Sequence, residues 1–81
     1  MTEQVAAAAV QRIISELFTI PIDQVTLESS PQSIEAWDSV GQLNLIIALE
    51  QEFHVQFSVD DIGKMVDVQG IVRVLGGHGI A

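Results

Sequence analysis

Asp38-Ser39-Val40-Gly41-Gln42-Leu43-Asn44-Leu45-Ile46-Ile47-Ala48-Leu49-Glu50-Gln51-Glu52-Phe53 has the pattern of an amphipathic helix. Aliphatic residues recur at three- and four-residue steps, no proline interrupts them, and Asp and Ser stand where helices are capped. At about 100° per residue, Ile46, Leu49 and Phe53 gather on one side, flanked by Leu45, and define a core face. Val40, Asn44, Ile47 and Gln51 fall opposite, which leaves two aliphatic side chains on a face that should be wet. Ser39 and Gln42 have the spacing of a capping box, and Asp38 adds charge at the positive helix end. Ser39 is therefore either a cap or, at that electropositive start, the attachment point of a phosphate-linked group.

Outward from this helix, residues 3–18 read as another, with Ala6, Ala9, Val10, Ile13, Ile14 and Leu17 as its apolar stripe. Thr2 offers its cap and Pro21 stops it. Residues 19–37 carry Pro21, Pro31 and several serines, so no ordinary helix fits. Ile20, Ile22, Val25, Leu27, Ile34 and Trp37 should pin this stretch to the core as an ordered crossing loop. A short helix is expected over 59–64, with Ser58 and Asp61 at capping-box spacing. A last one is expected over 68–75, capped by Asp67, stapled by Val66 and Ile71, and ended by Gly76 and Gly77. The expected fold is an all-α bundle of three main helices plus one short helix, with a long loop between the first and second, in one domain over 1–81.

The totals exclude several functions. The chain has no cysteine, so disulfides, thiolate metal sites and a cysteine nucleophile are absent. Eleven acidic against three basic residues give a net charge of −8, which repels nucleic acid and suits basic protein surfaces. No apolar run approaches the roughly 20 residues that span a bilayer, and no secretory signal is visible. A monomeric cytoplasmic protein without membrane insertion is the expectation. A serine nucleophile needs a base within reach. His54 lies at the far end of the same helix, roughly 22 Å away at 1.5 Å per residue, and His78 sits in a glycine-rich tail expected to be mobile. There is no clustered set of metal ligands and no catalytic set, so an enzyme is not expected.

Glu35-Ala36-Trp37-Asp38-Ser39-Val40-Gly41-Gln42-Leu43-Asn44-Leu45, followed by Ala48-Leu49-Glu50-Gln51-Glu52-Phe53, closely resembles the acyl carrier proteins. The similarity covers nearly the whole chain, including the long loop, the short third helix and the acidic balance. It implies an acyl-carrier-like bundle of the stand-alone type. It also implies that Ser39 accepts a 4′-phosphopantetheine arm from coenzyme A through a separate Mg²⁺-dependent phosphopantetheinyl transferase, with Asp38 presenting the hydroxyl. The arm's thiol would hold acyl groups as thioesters, which fits a chain without cysteine. Carried over by position, Val40, Ile47, Glu50 and Glu52 are the expected contacts with basic patches on acyl-loading and acyl-processing enzymes. Ile46, Leu49 and Ile62 are candidates to line a cargo cavity, with core packing the favoured reading.

Gly41 and Asn44 depart from the family, standing where carriers of general fatty-acid synthesis usually have acidic residues, and Val40 replaces the commoner leucine. Gly41 should weaken the first helical turn by about 1 kcal/mol relative to alanine. These departures point to a specialised fatty-acid, polyketide or related pathway. The alternative from another class is an acidic helical inhibitor or adaptor of the immunity type, with no prosthetic group.

Overall fold

A computed structural model describes residues 1–81. Its elements are α1 (Glu3–Phe18), a 3₁₀ turn (Ile22–Gln24), α2 (Ser39–Phe53), α3 (Val59–Lys64) and α4 (Val68–Gly77), and no strand is present. α1 packs against both α4 and α2, while α3 lies against α4. Seventeen buried residues form one apolar cluster among them.

α1 starts where expected, with the Thr2 hydroxyl accepting from the Val5 N–H. Its buried row is Ala6, Val10, Ile14 and Phe18, with Ile13 beside it. Leu17, expected in that stripe, is 36% exposed, and Phe18, at 9%, takes its place. The physical reason lies outside the helix: Phe18 stacks on Trp37 at a centroid distance of 6.0 Å. Thr19 then turns into the left-handed region (φ 55°), and the Ile20 N–H donates back to the Ser15 carbonyl.

The crossing loop is ordered by specific bonds. Val25, Ile34 and Trp37 are buried pins, but Ile22 and Leu27 stay exposed. The loop's polar backbone does as much as its side chains. Gln11 Nε2 donates to the Val25 carbonyl at 2.9 Å, and the carbonyls of Leu27 and Ser29 accept the N–H groups of Gln69 and Val68 at 3.0 Å each. Those two donors open α4 and have no partner within it.

The expected capping box of α3 is present between Ser58 and Asp61. Val66 is exposed, so the expected staple with the buried Ile71 adds little burial. α4 runs two residues beyond the expected end and closes in a Schellman turn. Gly79 (φ 79°) donates to the Gly76 carbonyl, and Ile80 donates to the Leu75 carbonyl. His78, expected in a mobile tail, is instead fixed. Its Nε2 lies 2.8 Å from Asp61 Oδ2, and its ring meets Phe57 edge-on at 5.7 Å. No helix is long and apolar enough to cross a membrane.

Candidate functional site

The start of α2 corrects the capping assignment. Asp38 is the N-cap: its backbone is extended, and its Oδ1 accepts the Gly41 N–H at 2.8 Å. Ser39 is the first helical residue, and it forms no capping box with Gln42, whose amide is used elsewhere. The Ser39 side chain is exposed and its hydroxyl makes no hydrogen bond to the protein. Nothing in the chain accepts from the N–H of Ser39 or Val40 either. A free hydroxyl thus stands beside two open backbone donors at the positive end of a fifteen-residue helix.

Gly41 is buried, and its reason is steric. A Cβ there would collide with the Ala36 carbonyl oxygen and press on the Phe18 ring. The expected gain for alanine is therefore not available in this backbone, and an acidic side chain would not fit. The absence of a charge at position 41 follows from packing, whereas exposed Asn44 is a free chemical choice.

Val40 and Ile47 are exposed at 68% and 46%. Leu43 joins them at 60%, one turn after Val40, so the apolar face has three members. Sequence reasoning missed Leu43, although at 100° per residue it lies about 60° from Val40. The two acids placed with this face are partly occupied by the fold. Glu50 is half-buried and its Oε2 accepts the Phe57 N–H at 2.9 Å. Glu52 turns towards α1, pairing with Arg12 at 3.3 Å. The exposed carboxylates nearest in sequence to Ser39 are Glu35 and Asp38.

A cleft of about 770 Å³ opens beside Ser39, with Gln32, Glu35, Gln42, Ile62 and Met65 among its walls. Ile62 is half-buried on its inner side. Ile46 and Leu49 line no cavity and belong to the core. Gln42 was not singled out as a site residue in the sequence, yet it ties the cleft together: its Oε1 accepts from the Trp37 indole, and its Nε2 donates to the Met65 carbonyl at 3.2 Å.

The histidines stand away from Ser39. His54 caps the opposite end of α2, and His78 is held against Asp61. No cluster of three or more His, Asp or Glu residues is placed to hold a metal ion.

No protein-family model matches the chain. A curated relative does: the acyl carrier protein of Campylobacter jejuni subsp. doylei is 29% identical over 66 residues, 82% of this chain and 86% of the relative. Over most of its length, this all-helical chain with an exposed serine at the start of α2 is thus similar to an acyl carrier protein.

Proposed function

We propose that the protein is a carrier whose Ser39 takes a 4′-phosphopantetheine arm from coenzyme A and delivers acyl groups to partner enzymes. The observation that carries this reading is the unbonded Ser39 hydroxyl beside the open N–H groups of Ser39 and Val40. These groups fit a phosphodiester: the oxygen supplies the ester link, and the two donors face its negative charge. The arm, once attached, supplies a thiol for thioester chemistry. The chain's own residues position it. Asp38 holds the first turn through Gly41 and so fixes where the hydroxyl points towards the transferase. No base is needed in the chain, because the transferase would remove the hydroxyl proton as the oxygen–phosphorus bond forms and the pyrophosphate bond of coenzyme A breaks, with adenosine 3′,5′-bisphosphate as the leaving group.

Val40, Leu43 and Ile47 supply an apolar docking strip on the arm-bearing helix, and Glu50 borders its far end, while Glu52 is turned aside to Arg12 of α1. The strip suits partners with basic rims around a small apolar patch. Because Gly41 is excluded from bearing a charge, the first turn of α2 contributes less negative potential than the overall −8 suggests. This supports partners of a dedicated fatty-acid, polyketide or related pathway.

Incubation with coenzyme A, Mg²⁺ and a broad-specificity phosphopantetheinyl transferase should add the mass of one arm, and Ser39→Ala should abolish the gain without changing thermal unfolding. Failure of the folded wild type to gain mass, under conditions that modify a known carrier, would sink the reading. It would leave the acidic adaptor as the better account. Ile47→Glu should impair turnover by partner enzymes while leaving unfolding nearly unchanged, since Ile47 lies outside the buried cluster.

A further inference from the structure

Among the side chains of α2, only Gln42 bonds to two other parts of the molecule. Through its oxygen it holds the indole N–H of Trp37, and through its nitrogen the carbonyl of Met65 at the end of α3. Trp37 and Met65 are both buried. α3 itself contributes no buried residue, and its packing against other helices is chiefly with α4. The seam between α2 and α3 beside Ser39 is therefore bridged by one amide, with Ile62 and Met65 packed against the core beneath it. Behind it, Ile46 and Leu49 are packed, and every cavity in the molecule opens on the surface.

On the carrier reading above, we propose that Gln42 is a specificity-determining residue that bars aliphatic chains from the α2–α3 seam, so that the protein carries short or polar acyl groups held outside the bundle. A hydrocarbon chain entering there must part Gln42 from the Met65 carbonyl, and displacing that amide also takes the acceptor from the buried Trp37 indole. A short or hydroxylated acyl group has too little apolar surface to drive that opening. Outside the seam one wall of the cleft is polar, where Gln32, Glu35 and Asp38 offer acceptors to a cargo that bears hydrogen-bond donors, and the facing wall carries Ile62, Met65 and Val66.

Trp37 is the only tryptophan, so its emission reports directly on the latch. Ser39 of the wild type and of Gln42→Leu is loaded with acetyl-, 3-hydroxybutyryl- and octanoyl-bearing arms, with loading confirmed by mass. Thermal midpoint, Trp37 emission and thioester hydrolysis are then compared. In the wild type the three cargoes should give the same midpoint, emission and hydrolysis rate. In Gln42→Leu the octanoyl form alone should melt higher and hydrolyse about fivefold more slowly, as expected of a thioester sequestered about four-fifths of the time. Gln42→Glu keeps an acceptor for Trp37 but loses the Met65 bond, and its protection should be intermediate. A purely structural role for Gln42 would move all three cargoes equally and would overturn the proposal. So would octanoyl protection in the wild type equal to that in Gln42→Leu, a comparison that stands on the wild type alone should the leucine variant fold poorly. Absence of any mass gain at Ser39 is a separate failure, of the carrier reading itself, and is seen before any cargo is compared.

Discussion

α2 and α4 begin alike: Asp38-Ser39-Val40-Gly41 and Asp67-Val68-Gln69-Gly70 each place an aspartate cap three residues before a buried glycine. The caps accept the glycine N–H at 2.8 and 2.6 Å. In both, a Cβ on the glycine would strike a backbone carbonyl of the preceding segment, Ala36 or Lys64. The difference lies in the two residues between cap and glycine. In α4 the N–H groups of Val68 and Gln69 are taken by the Ser29 and Leu27 carbonyls, and Val68 is fully buried. In α2 the corresponding N–H groups are open and Ser39 is exposed. One helix start is sealed by the crossing loop and stabilises the fold. The other is left unsealed, and that openness suits it to attachment.

Exchanging the residues is the sharpest way to break this comparison. Val68→Ser removes apolar volume from the core and adds a buried hydroxyl, and should destabilise by about 2–4 kcal/mol. The thermal midpoint should fall by on the order of 10 °C or more. Ser39→Val should change stability by no more than about 0.5 kcal/mol while abolishing arm attachment. Calorimetry alongside mass analysis separates the two effects. Equal losses of stability in both variants would show that the two starts are not functionally divided.

The shared glycines come next. Gly41→Ala and Gly70→Ala each force a methyl against a fixed carbonyl, and each should lower stability by about 1–3 kcal/mol by denaturant titration. Gly76→Ala, also within α4 but facing open space, should instead stabilise by up to about 1 kcal/mol. Opposite signs for the same substitution would locate the constraint in the close approach rather than in helix propensity. At the caps, Asp38→Ala and Asp67→Ala should each lower stability by about 1 kcal/mol. Only Asp38→Ala should also slow arm transfer to Ser39.

Much of this was legible in sequence because the signals are local. Thr2, Ser58 and Asp67 stand next to the helices they cap, and the periodicity of residues 3–18 and 39–53 gave both helices their bounds. Ser39, Val40 and Ile47 were legible as exposed positions for the same reason. What was missed depends on partners far along the chain. Phe18 displaces Leu17 from the core because Trp37 offers it a stacking face, Gly41 answers to the Ala36 carbonyl, and Gln42 reaches Met65. The fixed tail did leave a trace: glycine at 79 followed by the apolar Ile80 is the signature of a Schellman end.

A third helix start sets the lower end of the scale. α3 is capped reciprocally by Ser58 and Asp61, and Asp61 also meets His78. The His78 hydrogen bond, followed by the Ser58 N–H, holds the Asp61 carboxyl below its ordinary value of 3.8. A carboxyl that ionises more readily when folded contributes stability above its unfolded pKa and loses it as pH falls through the folded one. Thermal midpoints recorded from pH 7 down to pH 3 should therefore fall less steeply at the acid end in Asp61→Asn than in the wild type. The side chain is solvent-accessible, so the effect should be smaller than that of removing either aspartate cap. Identical acid limbs in the two proteins would show that the Asp61 contacts add nothing to folding. A steeper limb in the variant would reverse the sign expected from the lowered carboxyl.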